Sequence, residues 1–257
     1  MTRPSGRSSA RLTRRVAPGI HRLEHAYVNC YLIEGSDGIT IVDAAFPATW
    51  PILQRALLAL NRQPSDVKAL VLTHAHFDHL GFARRVHEDW GVPVWAHGKE
   101  EYIAEHPYRY AHERSRLLYP IRRPSVVPVL ATMARAGALN VRGVRGLHLF
   151  EPGDVLDVPG KPRVVFSPGH TFGHSALHLE ASDAVLTGDA LVTFDPYTGA
   201  VGPHIVAGAA TADSAQALRS LGALEETNAT IVLPGHGPAW TTGIASAVSA
   251  ARAAGPS

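Results

Sequence analysis

Hydrophobic and polar positions along this chain fall into short blocks separated by turns rich in glycine, proline and aspartate. Runs of strand length open it, "GIHRLEH", "VNCYLIEG" and "GITIVDAAF", the last two divided by the turn signal Ser36-Asp37-Gly38. Residues 48–62, "ATWPILQRALLALNR", carry apolar side chains at helical spacing, and "DVKALVLTH" returns to a strand pattern. "LGFARRVHEDW" predicts a helix and "VPVWAHG" a strand. From Lys99 to Leu139 the pattern changes to a partly helical stretch rich in Tyr, Arg and Pro, which predicts an insertion over one edge of the fold. Beyond it "RVVFSPGH", "SALHLE" and "AVLTGDAL" predict strands, residues 211–224 a helix, "ATIVLPGHG" a strand and "GIASAVSAARAA" a last helix. Strands that come both in runs and alternating with helices indicate α/β or α+β, with one sheet or two.

Composition narrows this. A length of 257 residues suits one large domain better than two. The first fifteen residues hold five arginines and no acid, and the segment from Lys99 to Arg145 holds nine Lys or Arg against four Glu. The formal net charge is only +2, so the remainder of the chain stands at −8 once these two +5 segments are taken out. Residues 1–15 are expected to form a disordered basic tail, residues 16–257 one domain, and residues 99–139 a helical lid within it. Such charge either covers a solvated face or attracts an anionic substrate. No nucleic-acid motif accompanies it, so nucleic acid is not an expected partner. No apolar run approaches the roughly 18 to 20 residues that span a bilayer, and no apolar region follows the arginine-rich start as in a secretory signal. Cys30 is the one cysteine, which excludes an intrachain disulfide and a thiolate metal site and fits a reducing cytoplasm.

The chemistry gathers at strand ends. In "THAHFDHLG", His74 and His76 lie one residue apart, which on extended backbone turns both to one side. Asp78 and His79 follow where the chain turns toward the next helix. A lone histidine is usually a core or surface residue, but four ligand-type groups within six positions are rarely that. The event recurs downstream. "VVFSPGH" ends at His170, "AVLTGD" at Asp189 and "TIVLPGH" at His236, each an apolar run that stops in a glycine-containing turn. Four such ends argue for one shared centre.

The combination resembles the metallo-β-lactamase fold superfamily, in its glyoxalase II and lactonase branch. The likeness covers roughly Gly19 to Trp240 and rests on five elements in the family's order: Asp43, His74-x-His76-x-Asp78-His79, His170, Asp189 and His236. It implies an αββα arrangement, a two-sheet β-sandwich flanked by helices (α+β), with a dinuclear metal site at one end. By the resemblance His74, His76 and His170 hold one ion, Asp78, His79 and His236 the second, and Asp189 bridges them. Asp43 supports the metal loop, and His174 of "GHTFGH" is structural. Five imidazoles and two carboxylates without sulfur suit Zn2+, with Fe2+ and Mn2+ compatible. Two such ions would activate a shared water as the nucleophile, oriented by Asp78, and polarise a carbonyl.

The resemblance implies a hydrolase for an ester, lactone or thioester. β-Lactamases of the family lack the bridging aspartate, so antibiotic hydrolysis is disfavoured. Lactonases commonly carry a tyrosine three residues after that aspartate, where this chain has Val192 and, further on, Tyr197. The insertion mixes Leu, Val, Tyr and Met with Arg, which fits either a helix covering the sheet edge or a lid over an apolar pocket with a basic rim; the second reading implies a small substrate with an apolar acyl part, with or without an anionic group. The other readings are an iron-dependent persulfide dioxygenase of the same fold, which uses one metal and fewer of these ligands, and a non-catalytic metal-binding module.

Overall fold

A computed structural model describes residues 10–116 and 118–257. The first half of the chain lays down a seven-stranded sheet in sequence order: β1 (Arg11–Ala17), β2 (Ile20–His25), β3 (Val28–Glu34), β4 (Ile39–Val42), β5 (Val67–Val71), β6 (Val94–His97) and β7 (His148–Phe150). β1 to β4 pair antiparallel through short turns, and β4 to β7 run parallel. Parallel neighbours need crossovers, and helices supply them. α1 (Trp50–Ala59) joins β4 to β5; α2 (Phe77–Leu80) and α3 (Ala83–Trp90) join β5 to β6. α4 (Glu101–Glu105), α5 (Leu118–Arg122) and α6 (Val127–Arg135) lie between β6 and β7.

The second half forms a four-stranded sheet from β8 (Arg163–Phe166), β9 (Ser175–Leu179), β10 (Ala184–Gly188) and, after a two-stranded ribbon, β13 (Ile231–Pro234). The ribbon is β11 (Val192–Phe194) with β12 (Val201–His204). α7 (Ser214–Glu225) carries the chain back to set β13 parallel to β10, and α8 (Ile244–Ala254) follows.

The period-two alternation of each strand divides its side chains between two cores. Tyr31, Ile33, Val42, Ala69 and Val71 of the large sheet meet Leu177, Leu179, Leu186 and Leu233 of the small one. Their neighbours Leu32, Ile41 and Leu70 face outward onto Leu53, Leu57, Val86 and Met133 of the first helical layer. Val185 and Val232 likewise face Leu221, Leu224, Val248 and Ala251 of the second. The fold is an α+β sandwich in four layers, helix, sheet, sheet, helix.

One expectation needs correcting. Residues 11–15, assigned to a disordered tail, belong to β1, paired with β2 through Arg11 with Glu24, Leu12 with Leu23 and Thr13 with Arg22. The strand lies at the sheet edge, where arginines point to water while Leu12 and Val16 pack inward. Charge on an edge strand is compatible with pairing and blocks further strand addition. Residues 1–9 of the expected tail lie outside the described residues.

Candidate metal centre

All seven residues marked by the sequence meet at one end of the two sheets. His74 follows the end of β5, His170 follows β8, Asp189 directly follows β10, and His236 follows β13. Asp78 and His79 sit on α2, the single short helical turn that His76 begins. Three overlapping groups result, His74 with His76 and His170, His74 with His79 and Asp189, and Asp78 with His79 and His236, each with ligand atoms within 4.8 Å of one another. Ligands gathered past the carboxyl ends of strands are the usual site geometry of sheets crossed by helices.

The hydrogen bonds behind the histidines fix which nitrogen each presents. His79 Nδ1 donates to Asp43 Oδ2 at 2.9 Å, and His236 Nδ1 donates to the Tyr27 carbonyl at 2.8 Å. The Thr211 hydroxyl gives its proton to the Val206 carbonyl, so at 3.3 Å from His170 Nδ1 it can only accept. Thr73 Oγ1 likewise donates to Asp43, which leaves it to accept from His74 Nδ1 at 3.1 Å. In four imidazoles, then, Nδ1 holds the proton and Nε2 faces the centre, the outer partner setting the tautomer as metal sites require. His76 is reversed: its Nδ1 lies 3.0 Å from His170 Nε2.

Asp189 lies among the histidines. Its Oδ2 is 3.2 Å from His236 Nε2 and 3.5 Å from His170 Nε2, and its Oδ1 is 3.5 Å from His79 Nε2. Burial works to raise the Asp189 and Asp78 carboxyls, but charge and hydrogen bonding from His236 and His79 outweigh it and hold both below the usual range. The same contacts act in reverse on the partners. Burial works to lower His79, yet Asp189 and Asp43 push it up to about 9, and His236 is raised well above its ordinary value by Asp189 and Asp78 against the same penalty. Burial lowers His74 and His76 well below the ordinary value, and it holds His170 down to about 3, outweighing the carboxylates near His76 and His170.

The side chains present fit divalent cations. His74 Nε2, His79 Nε2 and Asp189 Oδ1, one from each member of a ligand group, are buried without a hydrogen-bond partner among the described residues. Leaving such groups unsatisfied costs about 1–3 kcal/mol each, and a bound cation satisfies them. The buried carboxylates draw positive charge onto His79 and His236, and a bound cation would take the place of those protons.

Behind these residues lies a supporting layer, partly legible in advance. Asp43, expected there, accepts from the Thr73 N–H at 2.8 Å as well as from His79. His174, taken as structural, accepts the Asp189 N–H at Nε2 over 3.0 Å while its Nδ1 pairs with Ser167, so it orients the backbone of Asp189. Gly235 allows the last turn to close: a Cβ there would meet Asp189 Oδ1 and His79 Cε1.

Two residues escaped the sequence. Glu100 is fully buried and accepts from Ala75 N–H at 2.8 Å, Gly173 N–H at 2.9 Å and the Thr171 hydroxyl at 2.7 Å. It ties the His74–His76 loop to the His170 loop. Tyr110 lies against His76, ring centroids 3.7 Å apart. Both fall in the stretch read as a lid, and that stretch therefore reaches the centre itself.

Comparison with known proteins agrees with this geometry. A family profile described as "Metallo-beta-lactamase superfamily" matches residues 24–236. The chain is 28% identical over 185 residues to the probable metallo-hydrolase YflN of Bacillus subtilis, spanning 70% of this chain and 66% of that protein. It is 28% identical over 240 residues to the N-acyl homoserine lactonase AttM of Rhizobium johnstonii, 82% of each. Among solved structures, the metallo-beta-lactamase family protein TTHA1429 from Thermus thermophilus superposes with a TM-score of 0.67 at 25% identity, over 91% of this chain and 78% of that one.

Proposed function

This chain belongs to the metallo-beta-lactamase superfamily and is a metal-dependent hydrolase, and from that premise we propose that it cleaves a carboxylic ester, lactone or thioester at two divalent cations. His74, His76 and His170 would hold one ion, Asp78, His79 and His236 the other, and Asp189 would lie between them. The observation that carries this reading is the convergence of seven buried ligand-type side chains, among which His74 Nε2, His79 Nε2 and Asp189 Oδ1 have no hydrogen-bond partner among the described residues. The donor set favours Zn2+, with Fe2+ and Mn2+ the alternatives. Bound there, such ions supply an activated water and a Lewis acid for the substrate carbonyl.

The protein's own groups do the rest. Asp78 is 9% exposed against 3% or less for the other six, so it is the ligand-type side chain nearest to the approach of substrate. Its ionised Oδ2, 3.4 Å from His236 Nε2, is placed to accept a proton from attacking water and pass it to the leaving group. Val192, Val206 and Ala210, with Phe77, Ile103 and Tyr197 beside them, form an apolar wall around Tyr110. That wall suits an apolar acyl part and excludes water from the reacting carbonyl. A lactone is the first class to test, given the likeness to a lactonase.

The test is a hydrolysis screen of metal-loaded protein over lactones, thioesters, aryl esters and phosphoesters, together with elemental analysis. Two ions per chain and turnover confined to carbonyl substrates are expected. One iron per chain with no hydrolysis would favour the dioxygenase reading instead.

A further inference from the structure

Between α4 and α5 the chain sets two side chains in a stack on the centre. The Tyr110 ring lies 3.7 Å from the His76 ring, inclined by 33°, and the Arg116 guanidinium carbon lies 4.1 Å from the Tyr110 centroid. Imidazole, phenol and guanidinium thus follow one another outward. Packing alone does not account for the outer pair. Tyr110 is 8% exposed, and its buried hydroxyl faces that of Tyr197, a single neighbour that cannot use both its donor and its acceptor capacity. Arg116 Nε is buried without a hydrogen-bond partner among the described residues, and no ion pair among them includes Arg116. Stacking on a ring face stabilises a guanidinium by about 0.5–2 kcal/mol, but it leaves the in-plane N–H donors unmatched.

We propose that Arg116 and Tyr110 form a recognition site for a carboxylate on the substrate, an assignment that rests on the hydrolase reading of the adjoining centre. The planar fork of a guanidinium matches the two oxygens of a carboxylate, and a lone pair remains to accept from the Tyr110 hydroxyl. One cation and one neutral donor balance a monoanion. A phosphate dianion calls for more charge. Two stacked layers separate the guanidinium from His76, so the carboxylate belongs a few bonds away from the carbonyl under attack. With the apolar wall that surrounds Tyr110, the site selects an amphipathic acyl compound bearing one carboxylate. Arg122 and Arg123 are exposed and can act only at longer range, through solvent.

The test uses two probes that carry no ester, N-octanoylglycine and its neutral amide N-octanoylglycinamide, titrated calorimetrically into metal-loaded protein. Wild type is expected to bind the carboxylate at least about tenfold more tightly, the worth of one charge-assisted pair. Arg116→Gln should abolish the preference, Arg116→Lys should keep part of it, and Tyr110→Phe should reduce it at least about threefold, as loss of one hydrogen bond to a charged acceptor does. Unchanged affinity for the amide shows that each variant has kept its fold. Equal affinity of wild type for both probes, binding of neither, or a preference that survives Arg116→Gln overturns the assignment. Should Arg116→Gln not fold, an undiminished preference in both Arg116→Lys and Tyr110→Phe overturns it as well. Turnover of paired carboxylate and neutral thioesters is measured alongside. Carboxylate preference in binding without any hydrolysis sinks the hydrolase reading and leaves the anion site standing.

Discussion

Asp43 holds a left-handed backbone, φ 61°, which costs a non-glycine residue about 1 kcal/mol or more. It persists because its carboxylate accepts from Thr73 and His79 at once. Asp43→Asn keeps the shape but turns an N–H group toward His79 Nδ1, driving that imidazole to the tautomer that cannot offer Nε2. The variant should fold and hold about one cation where the proposed centre of the wild type would hold two, which elemental analysis beside circular dichroism will read. Asp78→Asn should lower kcat by at least tenfold with little change in KM at full occupancy, since its role as base lies in the transition state. Equal turnover would show that Asp78 is dispensable. Glu100→Ala leaves the N–H groups of Ala75 and Gly173 buried without acceptors, at about 1–3 kcal/mol each, and should lower both the urea midpoint and metal retention. The candidate ligands were legible because histidines clustered at strand ends are rare in any other role. Glu100 was not, because an acid in a run of charged residues looks like surface, and the partners that bury it come from distant parts of the chain.

At the scale of elements, long strands and helices showed themselves through their periods, while the misses have separate causes. β7, β11 and β12 span three or four residues, too few for an alternation to be counted. β1 was hidden by arginines that an edge strand turns to solvent. The turn from β13 into His236 shows how one element serves another: Gly235 passes so close to Asp189 and His79 that no side chain fits. Gly235→Ala should therefore displace Asp189 and lower metal content, even though it substitutes none of the proposed ligands. Full metal content and unchanged melting in that variant would show that the turn has slack. The helices between β6 and β7 followed their sequence pattern, but their reach did not, since spacing along a chain says nothing of which face lies over a site.

For the whole molecule, the two sheets share their inner core and divide the candidate ligands between them. Metal bound only by the folded state stabilises it, by about 2.7 kcal/mol at a hundredfold excess over Kd. Chelation should accordingly lower Tm by several degrees, and readdition of Zn2+ should restore it; an unchanged Tm would mean that the centre is closed by protein contacts alone. His74, His76, Asp78 and His79 follow a strand of the first sheet, and His170, Asp189 and His236 follow strands of the second. A chain synthesised from its N-terminus completes the first sheet while the partners of those four side chains are not yet made. Until β10 and β13 dock, the imidazoles stay hydrated and the inner faces of Tyr31, Ile33 and Val71 stay uncovered. The nascent protein therefore cannot acquire its chemistry piecemeal: closing the sandwich and gaining activity are one late step, and a chain stalled before it is both inert and exposed to proteases.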